Sequence, residues 1–516
     1  MGLSHMAPAP FCTWDNSYAR ELATFCIPWQ PKPVAQPRLL HFNRPLADEL
    51  GWPVQAPAGG TDGSASWADY LSGNVLLPGA QPVAQAYAGH QFGGFSPQLG
   101  DGRALLLGEV MDTRGRRRDV AFKGSGPTPF SRRGDGKAAV GPMLRELLMG
   151  EAMHALGIPT TRALAVVATG EPVYREQVLP GAVLTRVADS HLRVGTFQYV
   201  AAHHGEAEVR QLADYAIERH DPDLPPTPDR YWQFLHRVSQ RQAQLIAQWL
   251  NVGFIHGVMN SDNMTISGQT IDYGPCAFME AYDPQAVFSS IDHQGRYAYA
   301  NQGPIAQWNL ARLAETLLPL LSPEPQEAMA LAHKVLNEFE QSLEQALLQG
   351  QRRKMGWLTL ADHDLRGSDE VDRALVQAWL NLLASQQVDF TLAWRHLGEA
   401  ALTPHPPALL SLFREPEPVC AWLVQWHERV LREPPGQERT PPERQQSMNS
   451  VNPQLIARNH LVEEALQAAS DDADLVPLER LLQALRDPWT SRPHHDRLIQ
   501  AAPPEVTAAY QTFCGT

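Results

Sequence analysis

Short apolar runs punctuated by turns give way near residue 196 to long stretches of helical periodicity, and this change of texture orders the elements. Ala104–Val110 (ALLLGEV) and Arg118–Lys123 (RDVAFK) flank the polar turn Asp112–Arg117, which predicts an antiparallel hairpin. Met143, Leu144, Leu147, Leu148, Met153 and Leu156 then recur on one helical face, and Gly157 and Pro159 stop that helix. Ala163–Ala168 and Ala182–Val187 read as two further strands around a turn at Thr169–Gly170. Trp232–Leu250 is the clearest amphipathic helix, followed by a loop-rich block over 253–282 and a helix around Trp308–Leu320. Helical spacing resumes at Leu331, Val335, Leu336, Phe339, Leu343 and Leu347, and again at Leu455, Ile456, Val462 and Leu466.

These textures predict an α+β chain in four parts. Residues 1–80, rich in Pro, Trp and Gly, form an irregular extension wrapped on a core; 1–6 (MGLSHM) read as a cloning remnant. Residues 81–195 form a small lobe of hairpin, helix and strands. Residues 196–340 form a mainly helical lobe, and 341–516 a helical region interrupted by Pro-rich stretches at 403–418 and 434–442.

Composition narrows the partners. The 516 residues carry a net charge of −14, which argues against a nucleic-acid coat. No apolar run approaches the ~20 residues of a bilayer crossing. Five scattered cysteines (Cys12, Cys26, Cys276, Cys420, Cys514) with no CxxC pair argue against a disulfide scaffold or structural zinc. A soluble, cytoplasmic protein is expected, with no nucleic-acid or membrane partner; no pattern bears on its oligomeric state.

The chemistry concentrates in two places. In His256-Gly-Val-Met-Asn-Ser-Asp262-Asn263, followed nine residues later by Asp272-Tyr-Gly, an Asn and an Asp each sit beside a turn. Hard oxygens so spaced suit Mg²⁺ with nucleotide phosphates completing its shell. Residues 264–271 are expected to form a small hairpin that joins them. Read alone, each is more often a helix cap or a turn residue. Upstream, Val120-Ala-Phe-Lys123 fits the strand lysine with which protein kinases hold phosphates, and Glu146 stands on the next helix as its ion-pair partner. Leu99-Gly100-Asp-Gly102-Arg103 precedes the hairpin where a kinase carries its glycine-rich loop, although a lone GDG is also an ordinary turn. In the alignment on H-R-D-L-x-x-x-N, Val258 takes the place of the catalytic aspartate. A valine cannot accept a proton, so a different base is required, and Asp262 is the nearest substitute.

The runs YAGHQFG (87–93), LGDGR (99–103), AFKGSGPTPFSRRGDG (121–136), HGVMNSDNM (256–264), IDYGPCAF (271–278) and NPQLIARNH (452–460) resemble the SelO (selenoprotein O, YdiU) family, from about residue 30 nearly to the end. The resemblance implies a bilobal protein-kinase-like fold that transfers AMP from ATP to Ser, Thr or Tyr hydroxyls of proteins. It also implies nucleotide bound in a flipped orientation and a place in redox or stress regulation. By motif, Gly100, Gly102, Arg103, Lys123, Asp135 and Gly136 would line the nucleotide site. Arg186 and Arg193 (TRVADSHLR, 185–193) would hold the γ-phosphate end. Asp262 would be the base, and Asn263 and Asp272 the ligands of Mg²⁺ or Mn²⁺. Some relatives pair a C-terminal cysteine with one beyond the DYGP block; here Cys514 finds no cysteine at 285–288, and Cys276 is the nearest. Transfer of UMP at the same site, an ordinary kinase, and a non-catalytic ATP-binding scaffold are the alternatives.

Overall fold

The computed structural model describes residues 12–53, 65–358, 368–433, 438–493 and 495–513, so Cys514 lies outside the described residues. An eight-stranded antiparallel sheet runs in the order Cys26–Pro28, Val83–Gln85, Ala104–Met111, Arg117–Lys123, Val178–Ala188, Arg162–Tyr174, Arg38–Phe42, with the short Ala138–Ala139 pairing onto Val178–Ala188. The predicted hairpin is present, Lys123 lying opposite Ala104.

Two expectations are corrected. The leading segment is not merely wrapped on the core, because Cys26–Pro28 and Arg38–Phe42 are the two edge strands of the sheet. Runs of three and five residues carry too little alternation to register, and pairing with Val83–Gln85 and Arg162–Tyr174 holds them. The turn expected at Thr169–Gly170 is also displaced. Both strands continue past it, to Tyr174 and from Val178. The glycine instead makes room for Gln36, whose backbone N–H donates to the Thr169 carbonyl at 2.9 Å.

Helix Val140–Ala155 packs Leu144, Leu147, Leu148 and Met153 into the core shared with Val166 and Leu184 of the sheet. Beyond the sheet the chain is helical: Val194–His203, Glu206–His220, Arg230–Val252, Gln302–Leu321 and Pro325–Lys354, the last running unbroken through residue 341. The loop block between Arg230–Val252 and Gln302–Leu321 is anchored where Phe254–Ile255 pairs with Ala277–Phe278. Later helices build a second core around Trp379, Trp394, Trp422 and Trp426, which also takes in Ile255, Ala277 and Met279. The loop block is thereby held from the side of that core as well as by its own pairing. Among the described residues, no helix is long and apolar enough to cross a membrane. Cys12, Cys26, Cys276 and Cys420 are free thiols, and burial pushes the Cys276 thiol up to about 11.

Candidate active site

Strand alternation sets the first half of the site. Lys123 pairs with Leu184, so Lys123 and Arg186 project from the same face of neighbouring strands, toward helix Val140–Ala155 and its Glu146. Lys123 Nζ donates to Glu146 Oε2 at 2.5 Å and to Asp272 Oδ1 at 2.6 Å. Arg186 Nη1 donates to Glu146 Oε1 at 3.0 Å and to Asp272 Oδ1 at 2.8 Å. Arg193 Nη1 donates to Asp272 Oδ2 at 2.9 Å and to the backbone carbonyl of Asp262 at 2.7 Å. Three cations thus converge on two carboxylates. Burial pushes the Asp272 carboxyl up, but the charges of Lys123, Arg186 and Arg193 prevail and hold it well below the usual range.

The second half is the loop block. His256 Nε2–H donates to the Ile271 carbonyl at 2.9 Å, and Nδ1 accepts the Val258 N–H at 3.4 Å, which makes the ring neutral and ties the two acidic segments together. At Gly257 a Cβ would collide with the Pro275 carbonyl, so only glycine lets the segments come this close. The hairpin expected over 264–271 is corrected to a turn whose arms bridge elsewhere. Thr265 pairs with Arg193 and Thr270 with Thr160, because these neighbours supply the backbone partners that a two-residue arm cannot supply itself. Asp272 adopts a left-handed φ of 62°.

Asp262 is 8 % exposed; burial raises its carboxyl to about 6, and Oδ1 has no hydrogen-bond partner among the described residues. Gly89 lies against that oxygen so closely that any Cβ would strike it. Asn263 Nδ2 donates to the Val258 carbonyl at 2.9 Å, which leaves its Oδ1 as a free acceptor. Lys123, Glu146, Arg186, Arg193, Asp262, Asn263, Asp272, Gly102 and Arg103 all line one cleft of about 410 Å³, with the apolar Val258 among them. Gly100, Asp135 and Gly136 are not on its wall. Gly100 abuts Phe130, Gly136 packs backbone to backbone on Gly126, and Asp135 pairs with Arg175 Nη1 at 2.9 Å. The oxygens of Asn263 and Asp272, one neutral and one anionic, are the hard donors that Mg²⁺ accepts when phosphates and waters complete its shell. Among the described residues no group of three or more His, Cys, Asp or Glu forms a metal cage, so the phosphates would have to contribute.

Sequence reasoning missed the residues that support the arginines. Asp119 Oδ2 accepts from His191 Nδ1 at 3.0 Å, and His191 Nε2 accepts from Arg186 Nε at 3.2 Å. Arg193 lies over the Tyr87 ring at 4.7 Å. The signal for Asp119 was present: with Ala121 and Lys123 it shares one face of a strand. Replacing His191 by phenylalanine removes the acceptor that orients Arg186 and is expected to slow nucleotidyl transfer about tenfold, the worth of one hydrogen bond to a charged group. Initial rates at saturating ATP check this, and the His191→Gln variant should recover part of the loss.

The chain matches the family described as protein adenylyltransferase SelO over residues 12–486. A protein nucleotidyltransferase YdiU of Chromobacterium violaceum is 56 % identical over 490 residues, covering 95 % of this chain and 99 % of that protein. Proteins of the same name are 53 % identical in Rhizobium rhizogenes and 55 % in Rhizobium meliloti, covering 99 % and 98 % of this chain and 99 % of each relative. Motifs, cleft and relatives agree: the chain belongs to the SelO family of protein adenylyltransferases and is an enzyme of this nucleotidyl-transferring type.

Proposed function

We propose that the protein transfers AMP from ATP to Ser, Thr or Tyr hydroxyls of protein acceptors, on a kinase-like frame with residues 81–195 as one lobe and 196–340 as the other. Residues 1–80 extend the first lobe, and 341–516 buttress both, with Asn459–Asp471 and Val476–Leu485 packed on helix Val140–Ala155 of the first. The observation that carries this reading is the pairing of a buried three-cation cluster with the Asp262 carboxyl in the same cleft, while valine stands where a kinase keeps its base. Lys123, Arg186 and Arg193 grip the β- and γ-phosphates, which leaves the α-phosphorus toward Asp262. The acceptor hydroxyl gives its proton to the Asp262 carboxylate as its oxygen bonds to the α-phosphorus. The bond from that phosphorus to the bridging oxygen breaks, and pyrophosphate departs with its growing charge facing the three cations. Asn263 and Asp272 would hold Mg²⁺ or Mn²⁺, which when bound neutralises phosphate charge. Gly102 and Arg103 would flank the nucleotide; Gly100, Asp135 and Gly136 would act by shaping the loops around it.

ATP labelled at the α- or the γ-phosphate tests the reading. The expected result is α-label on acceptor protein and none from the γ-position. Transfer of γ-label would return an ordinary kinase, binding without transfer would leave a scaffold, and preferential use of UTP would make the protein a uridylyltransferase.

A further inference from the structure

The mouth of the cleft is built differently from its interior. Among the described residues six non-glycines have left-handed φ, and three of them, Phe92 (50°), Arg132 (55°) and Asp272 (62°), line this one cleft. Asp272 belongs to the site already described. Phe92 is a bulky residue held in a conformation that costs roughly 1–2 kcal/mol, and it sits at the turn of the two-stranded hairpin Gly89–Gln91/Gly94–Ser96. That hairpin is bolted to the catalytic segment: the His90 N–H donates to Ser261 Oγ at 2.7 Å, and the Phe92 N–H to Asn260 Oδ1 at 3.2 Å. The strain therefore serves to present a side chain to the cleft that Asp262 also lines. Phe92 is 39 % exposed and Ile291 45 % at the cleft, and Phe95 of the same hairpin is 45 % exposed, an apolar rim left open by the described residues.

Arg296 lies behind this rim. Its guanidinium stacks over Trp308 at 5.0 Å and lies against Gly93 of the hairpin turn. It has no carboxylate partner among the described residues, and its Nε is buried without a hydrogen bond. Arg312, which also lies over Trp308 at 4.9 Å, is paired with Glu315. In a chain of net charge −14, a guanidinium left without a counter-ion beside exposed aromatic rings is complementary to an acidic partner. The edge of Gly94–Ser96 is also unpaired among the described strands, which suits an extended chain.

We propose that hairpin Gly89–Ser96 and Arg296 form the docking site of the acceptor protein, and that they select an extended segment carrying an apolar side chain and a carboxylate next to the hydroxyl. The identification of the bound segment as an acceptor rests on the AMP-transfer reading above; the docking itself does not. The test is therefore a binding measurement without catalysis. Fluorescein-labelled octapeptides with one serine and one phenylalanine, flanked either by glutamates or by lysines, are titrated with the full chain and followed by anisotropy. The glutamate peptide is expected to bind at least tenfold more tightly than the lysine peptide. Arg296→Glu should weaken it about tenfold and improve the lysine peptide, and Phe95→Ala should weaken both. Thermal unfolding midpoints close to that of the parent protein show that the variants are folded, and Phe95→Ala keeps the test alive should Arg296→Glu not fold. Equal affinity for the two peptides, or affinities unmoved by both substitutions, would overturn the docking site. Label transfer from α-labelled ATP to the bound peptide separately reports whether the site serves AMP transfer.

Discussion

Asp262→Asn is expected to reduce AMP transfer by about 10²–10⁴, the span over which a positioned general base contributes, while ATP binding changes little. The substitution keeps size and shape while removing the ability to take a proton and the charge that faces Arg193. Asp262 contributes its backbone carbonyl to Arg193, and an amide leaves that contact in place. Its Oδ1 has no hydrogen-bond partner among the described residues, so no structural hydrogen bond at that atom is lost. Burial disfavours the charged carboxylate and makes it a stronger base than an exposed aspartate. Initial rates and ATP affinity, measured on the same preparation, separate the two effects. Turnover within a few-fold of the parent protein would remove Asp262 from the chemistry. Val258→Asp, which places a carboxylate at the kinase position, is not expected to rescue the variant or to produce γ-phosphoryl transfer, because in the proposed pose the γ-phosphate would still face inward.

Arg193→Gln and Arg186→Gln should each slow transfer about 10²–10³-fold, as loss of one preorganised electrostatic contact to a leaving group does. The two arginines are 4 % and 2 % exposed, so no water replaces the lost charge. They also neutralise Asp272 and Glu146, and removing a partner from a buried ion pair destabilises by about 3–5 kcal/mol. Part of the loss is therefore structural, and thermal unfolding measures that part. The functional part has its own signature. On the proposed reading ADP lacks the phosphate that the cluster would grip, so the parent protein should use it poorly, and the ATP-to-ADP preference should narrow in both arginine variants. A preference unchanged by either substitution would show that the cations hold the fold rather than the triphosphate.

How much of this site could be read beforehand differs residue by residue. Lys123 and Glu146 were legible because a V-A-x-K strand followed by an amphipathic helix is a local pattern, and the ion pair forms as that pattern implies. Asn263 and Asp272 were legible from their turns and spacing. Arg186 and Arg193 were not: an arginine in a strand or after a loop reads as a surface residue, and only the family resemblance raised them. Their burial follows from carboxylates that arrive from positions 146 and 272, remote in sequence. His191, which with Asp119 orients Arg186, and Tyr87, which lies under Arg193, fall inside the quoted runs TRVADSHLR and YAGHQFG, but neither run assigned them a role, and Asp119 lies in neither. Asp135 carried one and is found paired with Arg175 away from the cleft.

Local pattern was sufficient for the hairpin, for helix Val140–Ala155 and for the long amphipathic helices, since period-two and helical repeats are properties of neighbouring residues. It was also sufficient for the chemistry on offer: a lysine–glutamate pair, two hard oxygen donors, and a valine where a kinase base belongs. Packing decided what distance along the chain conceals. The edge strands Cys26–Pro28 and Arg38–Phe42 exist because partners some 60 and 130 residues away supply their hydrogen bonds. The arms of the 264–271 turn found other partners for the same reason. The unpartnered oxygen of Asp262, the burial of Arg186 and Arg193, and the strained Phe92 at the cleft mouth are likewise tertiary facts. Each depends on charges and backbones converging from several elements, and no window of neighbouring residues contains that sum.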